Sequence, residues 1–585
     1  MRYLKWVMAR LAGPRAPQAV IAIALLLALP SLLSPLFIDE YVQAARWRAA
    51  LEHADGRSIW SFFQECFVFA SGKAADYQRE MEQVHGAWWA APDAKTAFWR
   101  PLAAATHAID LSLWPRSAVL MHVHSLLWFA ALLYALHVLY RRFLMPRVAT
   151  LALALYAWDD ARGWVLSWIA KRHALLACLF GICAIIAYDK WRRDGWRGGA
   201  FLSPLLLAVG LLSSEMALAT TGFLFAYALC LDQGSVARRM ARLVPHLLVV
   251  VVWQAVYLAS GYGAEASVNY LHPLREPVAY ARRLVEAAPV LSLAQLTPLD
   301  AVFWGAYPPA VKIAVYLLAL ALVIALARIA WPRLKHEPQV RFWLIGAGLS
   351  ILPICATGPS DSNLGFVGIG VAAALAMVFV SLVDDSPALR WPRFVIGAVA
   401  VFNLGVGPLL LPAKCLAMLG MGYGLPLADA SIPRDPSVAQ KTLVVVWTMS
   451  EGGTYASWCR RYAEGIPRPG RTRLLAESFA DVSVTRLDEV TLRLHIDGGF
   501  LDSKMHRLLR GPSRPFHQGD VVELSNMTAT VNEITGDGRP RTVTFRFAAP
   551  LESPEWLWMR GEGFRFVDWT PPRVGETVVV PAVTF

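Results

Sequence analysis

Long apolar runs separated by short charged or Pro- and Gly-bearing stretches fill the chain up to about residue 413, and alternation of apolar and polar positions takes over near residue 437. A helix needs about 20 mostly apolar residues to cross about 30 Å of hydrocarbon, with every backbone polar group satisfied inside the segment. By that measure the pattern predicts about eleven spanning helices, near 18–37, 117–140, 148–163, 173–190, 200–213, 215–232, 244–262, 309–330, 342–357, 364–382 and 394–413. The third, fifth and ninth runs are short, so they are expected to tilt, pair or re-enter rather than span cleanly. The first reads as an uncleaved anchor rather than a signal peptide, because Leu29-Pro30-Ser31-Leu32-Leu33 continues apolar without a small-x-small cleavage site.

Two long stretches between runs, 38–116 and 263–307, do not fit a span. The first mixes aromatic and basic residues at helical spacing (Trp47, Trp60, Phe62, Phe63, Phe67, Phe69), as expected of a loop with helices lying in the membrane interface. Beyond residue 437, Thr442-Leu443-Val444-Val445-Val446-Trp447 reads as a strand, as do Gly519–Leu524 and Thr542–Phe547, and Thr535-Gly536-Asp537-Gly538-Arg539-Pro540 has hairpin-turn chemistry. The expected architecture is therefore a multi-span α-helical membrane domain over 1–436, with outer loop 38–116, followed by a β-rich extracytoplasmic domain over 437–585. No nucleotide loop, HExxH, GxSxG or EF-hand pattern occurs in that last part.

Composition supports the membrane reading. Of the 585 residues 56% are hydrophobic and 17% charged, and the mean hydropathy is +0.43; soluble domains carry roughly 25% charged residues. The net charge of +12 would suggest nucleic acid in a soluble protein. Here the excess base sits in alternate short loops: Arg2, Lys5, Arg10 and Arg15; Arg141, Arg142 and Arg147; Lys190, Arg192, Arg193 and Arg197; Arg238, Arg239 and Arg242; Arg328, Arg333, Lys335 and Arg341; Arg390 and Arg393. By the bias of basic residues toward the cytoplasm, these loops and the N-terminus lie inside and the C-terminal domain outside. No nucleic-acid partner is expected. The seven cysteines are scattered without CxxC or zinc-ligand spacing.

Several polar groups stand where chemistry at a membrane surface would need them. Asp39-Glu40 follows the first span, and two adjacent carboxylates there can bind a divalent cation or take a proton from a hydroxyl; the bland alternative is an acidic cap. In Phe98-Trp99-Arg100-Pro101-Leu102 the Arg100 fork suits phosphate oxygens, and neighbouring rings, Trp88 and Trp89 among them, suit a sugar or a polyprenyl tail; an interfacial aromatic belt is the competing reading. His107 and Asp110 share a helix face and can form an Asp-oriented His or a structural pair. His122 and His124, two apart on a helix, point to different faces and are rejected as a metal pair. Asp159-Asp160 and Lys171-Arg172 fall at the outer ends of the third and fourth runs, where Lys171 and Arg172 can hold a diphosphate or simply form a self-screened charged loop. Glu215 in Ser213-Ser214-Glu215 lies between two short runs, and Asp361 sits in the turn Gly358–Gly365.

In chain order these segments resemble the GT-C class of membrane glycosyltransferases, in the lineage of the protein O-mannosyltransferases, the tetratricopeptide-repeat O-mannosyltransferases and bacterial membrane proteins of the same layout. The likeness rests on Asp39-Glu40, Phe98-Trp99-Arg100-Pro101-Leu102, Ala170-Lys171-Arg172-His173 and Ser213-Ser214-Glu215, and it covers about residues 15–382. It implies transfer of a sugar from a polyprenyl-phosphate donor to an acceptor on the extracytoplasmic face of a bacterial inner membrane. Asp39 would be the base, Glu40 a helper or a ligand of a divalent cation, and Arg100, Lys171 and Arg172 the phosphate-binding group, with His107, Asp110, Asp159, Asp160 and Glu215 in support. Two departures stand out: relatives often keep an Arg in the late outer loop, where this chain has Asp361-Ser362-Asn363, and no tetratricopeptide repeat follows. A non-catalytic scaffold of the same fold and a lipid-carrier or polysaccharide transporter are the alternatives.

Overall fold

The computed structural model describes residues 10–384, 390–449, 452–563 and 565–582, so Arg2 and Lys5 lie outside the described residues. The chain forms two compact units: one holds the residues up to Pro35 with Arg100–Gly261 and Pro273–Leu419, the other Leu36–Trp99, Tyr262–His272 and the residues from Gly420 on. The unit with the C-terminal sheets is thus a wider grouping than residues 437–585.

All eleven apolar runs are helical, but among the described residues six are long and apolar enough to cross a membrane: Ala16–Leu33, Ala118–Phe143, Ile169–Arg193, Pro309–His336, Gly365–Asp384 and Trp391–Lys414. The shorter apolar helices are Pro146–Ala157, Gly199–Leu211, Glu215–Cys230 and Val244–Ala259, and Pro338–Ile354 has 17 residues. The count of about eleven is thus not confirmed by length and composition, while the third, fifth and ninth runs are short helices as expected. At 1.5 Å per residue a 12- or 13-residue helix covers only about 18–20 Å. The sequence gives the reason, since Trp158-Asp159-Asp160 and Ser213-Ser214-Glu215 cut the apolar runs with polar groups. A further 20-residue helix, Pro277–Leu296, occupies much of the stretch expected as outer loop; its second half buries Val290, Leu291, Leu293 and Ala294.

Small residues let these helices approach. A Cβ on Gly346 would run into the Phe223 ring, and one on Gly370 into the Trp343 carbonyl. Around them Phe143, Tyr227, Phe342 and Trp343 pack edge to face and stacked, and the Tyr140 hydroxyl donates to the Ile369 carbonyl at 2.7 Å.

The second unit is a mixed α/β body. Its strands are β1 Val68–Ser71, β2 Lys95–Ala97, β3 Gly263–Glu265, β4 Thr442–Val445, β5 Arg471–Leu474, β6 Val482–Arg486, β7 Thr491–His495, β8 Val521–Leu524, β9 Met527–Ile534, β10 Pro540–Phe547, β11 Trp556–Glu562, β12 Arg565–Asp568 and β13 Thr577–Val580. They form a three-stranded sheet β1-β2-β3, an antiparallel sheet β13-β6-β7-β10-β9-β8 and a sheet β12-β11-β4-β5. In the last, β4 runs parallel to both β5 and β11, and the helix Gly452–Glu464 connects β4 to β5 as a parallel crossover requires. The turn at 535–539 joins β9 to β10, with Val543 opposite Val531 and, on the other side, Leu494. That register sends Leu494, Val531 and Val543 into the core.

Trp88 and Trp89 are part of this core rather than of an interfacial belt or a surface open to a sugar or polyprenyl tail. Both are buried, Trp88 packs on Phe500, Phe516 and Phe545, and its Nε1 donates to the Leu475 carbonyl at 3.1 Å. The helix Ile38–Leu51 belongs to the same body, where Tyr41, Val42 and Ala45 meet Tyr455, Ala456 and Cys459.

Candidate functional site

In the helical unit the structure joins three of the segments singled out in the sequence. Arg100 caps the helix Pro101–Leu113, whose Pro at the first turn gives up only an N–H that would be unpaired anyway. The Leu102 N–H donates to the Leu212 carbonyl at 3.0 Å, which sets this helix start beside Ser213-Ser214-Glu215. Across that junction Arg100 Nε and Nη2 both reach Glu215 Oε2 at 2.9 Å. Ser214 caps the turn Glu215–Leu218, and its hydroxyl lies 3.1 Å from Nδ1 of His173. The pair keeps some solvent, with Arg100 12% and Glu215 23% exposed at the side chain. Lys171, two residues before His173, holds its ammonium 5.2 Å above the Trp168 ring.

Arg172 is differently employed. Its side chain is 0% exposed, with Nη2 2.5 Å from Asp110 Oδ2. Nε donates to Ser125 Oγ at 3.0 Å, Nη1 to Thr106 O and Oγ1 at 3.2 and 3.3 Å, and Nη2 also to Met121 O at 2.9 Å. Every edge of the guanidinium is therefore turned to the protein, and the expectation that Arg172 presents itself to phosphate is replaced by a role in locking Pro101–Leu113 onto Ala118–Phe143. Asp110 also accepts from Trp114 Nε1 at 3.1 Å and pairs with His124 Nδ1 at 2.7 Å. Since His124 Nε2 accepts from Trp128 Nε1 at 3.0 Å, the ring proton sits on Nδ1 and is given to Asp110. The expected pairing of His107 with Asp110 thus gives way to His124 and Arg172. Burial, reinforced by the Arg172 charge, holds the His107 imidazole well below its usual range, so it is a neutral ring.

A second polar cluster in the same unit gathers Asp159, Asp160, Asp300, Asp361 and Lys414. Asp159 accepts from the Ala161 N–H at 2.9 Å, Gln295 Nε2 at 2.7 Å and Arg162 at 3.4 Å. Asp160 and Asp300 both form ion pairs with the Lys414 ammonium, and Trp164 Nε1 donates to Asp300 at 3.2 Å. Asp361 accepts the backbone N–H groups of Ala301 and Val302 at 3.1 and 3.3 Å. Burial, with Asp300 nearby, pushes its carboxyl up to about 6. Lys414 and Asp300 were not singled out in the sequence, where Lys414 follows the last apolar run and Asp300 lies inside the stretch 263–307; only their place on the same side as Asp159-Asp160 and Asp361 could have flagged them.

Asp39 and Glu40 lie in the second unit, at the first turn of Ile38–Leu51. Glu40 is buried and accepts the Phe37 N–H at 2.9 Å as a capping group, so one of its oxygens is engaged in holding the helix start rather than facing an ion. Asp39, Glu80 and Arg46 lie around the Tyr455 phenol, whose own ionisation burial pushes far up. Glu80 opens a π-helical turn, Glu80–His85, and burial pushes its carboxyl to about 7 despite the neighbouring Arg46. Among the described residues no group of three or more His, Cys, Asp or Glu side chains is arranged to hold a metal ion.

No family model and no curated protein matches the chain. Among solved structures it is similar to the apo oligosaccharyltransferase of Archaeoglobus fulgidus, at 12% identity and a TM-score of 0.45 over 80% of this chain and 65% of that one. It is also similar to ArnT from Cupriavidus metallidurans, at 13% identity: TM-score 0.35 over 79% of this chain and 85% of that one in the apo state, and 0.33 over 77% and 84% bound to undecaprenyl phosphate. The chain thus spans 65% of the oligosaccharyltransferase, less than two thirds of its length. With TM-scores below 0.5 these likenesses carry no functional argument, which rests on the residues.

Proposed function

We propose that the chain is a GT-C-like membrane glycosyltransferase that moves a sugar from a polyprenyl-phosphate donor to an acceptor on the extracytoplasmic face. The observation that carries the reading is the junction at which Arg100, Glu215, Ser214 and His173 come together from three distant segments at one end of the helical unit, with Lys171 two residues before His173. The opposite end of the helix Arg172–Arg193 carries Lys190, Arg192 and Arg193 in its last turn, and basic residues of that kind mark the cytoplasmic side. The junction then faces the extracytoplasmic surface, where a lipid-linked donor presents its phosphate. Arg100 and Lys171 supply cations to that phosphate, Glu215 orients Arg100, and apolar helices flank the polyprenyl chain.

In the reaction the acceptor hydroxyl gives its proton to a base, the role that the sequence resemblance implies for Asp39, and its oxygen bonds to the anomeric carbon as the bond from that carbon to the phosphate oxygen breaks; the polyprenyl phosphate leaves with the electron pair, a charge that Arg100 and Lys171 are suited to meet. Glu40 steadies the helix start that carries Asp39. The test is transfer by purified protein given lipid-linked sugar: Asp39→Asn is expected to fold with the same unfolding midpoint and lose at least 100-fold in transfer. Undiminished transfer by that variant would overturn the assignment of the base. Intact transfer by Arg100→Ala as well would favour the non-catalytic scaffold.

A further inference from the structure

We propose that the first half of the helix Pro277–Leu296 docks on the phospholipid of the bilayer interface, with Leu274, Val278 and Val285 against acyl chains and Arg282 among the lipid phosphates. The inference concerns the seating of this helix in lipid and holds whether or not the chain transfers sugar.

The helix has two halves of different character. From Ala287 on, its apolar residues pack into the helical unit against Trp304, Val315 and Leu364. Before that point Leu274, Val278 and Val285 are 82%, 82% and 66% exposed. Val278, Ala281 and Val285 stand at i, i+3 and i+7, so they share one face of the helix, and Arg282 flanks that face. Ala281 and Arg282 are exposed as well. An apolar stripe with a basic edge is the pattern of a helix lying in the interface, where acyl chains take the stripe and phosphates take the guanidinium.

Two hydrogen bonds set the depth of the stripe. Pro289 has no N–H, so the carbonyl four residues back, that of Val285, loses its partner in the helix. The Tyr316 hydroxyl donates to that carbonyl at 3.0 Å. Water could satisfy a freed carbonyl, whereas hydrocarbon requires the protein to do so. Tyr316 stands seven residues into Pro309–His336, which is about 10 Å along the helix axis. Nearer the start of the same helix, the Tyr280 hydroxyl donates to the Leu352 carbonyl at 2.8 Å, close to the end of Pro338–Ile354. Val285 is therefore held beside the second turn of a helix long and apolar enough to span, of whose apolar window only 6% is buried. On that helix Ile313 and Leu317 are 62% and 60% exposed, so the stripe continues a surface that already faces lipid. Interfacial helices sink their apolar face by about 5–10 Å, which agrees with the level at which Tyr316 holds Val285.

Spin labelling of the full-length protein in nanodiscs of phosphatidylethanolamine and phosphatidylglycerol tests this. The parent carries Cys183→Ala and Cys230→Ala, since the other five cysteines are buried. Nitroxides on Val278→Cys and Val285→Cys are compared with one on Asp497→Cys, an exposed position in the second unit. The measured ratio is that of collisions with oxygen, which partitions into lipid, to collisions with a water-soluble nickel chelate. At Val278 and Val285 it is expected to exceed the Asp497 value by at least about fivefold. A smaller difference means that the stripe faces water and overturns the proposal. Low accessibility to both reagents with dipolar broadening between labels also overturns it, because a second copy of the chain then covers the stripe. Both side chains are mostly exposed, and should one variant fail to fold, the other decides by the same ratio.

Discussion

Arg172 and Arg100 are the same side chain in the same unit, and both stood out in the sequence for the same reason, yet their surroundings assign them opposite tasks. Arg172 is wholly enclosed, with Asp110, Ser125, Thr106 and Met121 filling its donors. Arg100 pairs with Glu215 through Nε and Nη2 and is 12% exposed at the side chain. A guanidinium is suited to phosphate only while it has N–H groups to offer. Enclosure turns the first into a structural bolt, and partial exposure leaves the second able to exchange partners. Breaking a buried pair strands a charge and costs about 3–5 kcal/mol, whereas a surface pair contributes about 0–1 kcal/mol.

The largest expected effect follows directly. Arg172→Ala leaves the buried Asp110 carboxylate without its cation, and the unfolding free energy in detergent should fall by about 3–5 kcal/mol. Arg172→Lys, which cannot span Ser125, Thr106 and Asp110 together, should recover less than half of that. If Arg172→Ala unfolds at the wild-type midpoint while polyprenyl-phosphate binding drops, the contrast between the two arginines is wrong.

Asp361 sharpens the same comparison with a carboxylate. Its folded carboxyl titrates near 6 because of burial, above an unfolded value near 4. Below about pH 4 both states are protonated and no penalty is present. As pH rises from about 4 to 6, the unfolded chain releases its proton while the folded chain holds it, so stability falls, by at most about 3 kcal/mol, and then levels above pH 6. Asp361→Asn should flatten that part of the profile relative to wild type, measured by thermal unfolding between pH 4 and 7. An unchanged slope would mean that Asp361 ionises as freely in the folded protein as in the unfolded one.

How much of this could be read beforehand depended on whether a residue's neighbours lay near it in sequence. The apolar runs predicted a helix at each of their own positions and marked the third, fifth and ninth as short, because hydropathy is local, but the helix Pro277–Leu296 lies in a stretch without an apolar run long enough to signal it. Arg100 and Glu215 were both flagged, though nothing in the residues themselves said that they meet. Trp88, read either as a ring for a sugar or polyprenyl tail or as part of an interfacial belt, is a core residue whose hosts, Phe500, Phe516 and Phe545, lie some four hundred residues on. Lys414 had no local mark at all; its partners Asp160 and Asp300 are supplied by the fold. The strand at Thr442–Val445 was legible, but its parallel pairing with β5 and β11 was not, because direction is a property of the sheet.

The smallest expected change in stability is also the one that bears most on function. Arg100→Ala and Glu215→Gln each remove one side of a pair that is mostly buried yet touches solvent, so each should shift the unfolding free energy by about 1–2 kcal/mol, between a surface pair and an enclosed one. The double variant should show a coupling of about 0–1 kcal/mol in a double-mutant cycle. Binding of polyprenyl phosphate separates the two members: losing Arg100 deletes a cation and should weaken binding about tenfold, equal to about 1.4 kcal/mol. Losing the Glu215 charge releases Arg100 from a competitor while removing what aims it, so affinity should move by less than about threefold in either direction, a free-energy change below about 0.7 kcal/mol. Equal losses of binding in the two single variants would indicate that the ion pair as a unit, and not the guanidinium, is what the phosphate requires.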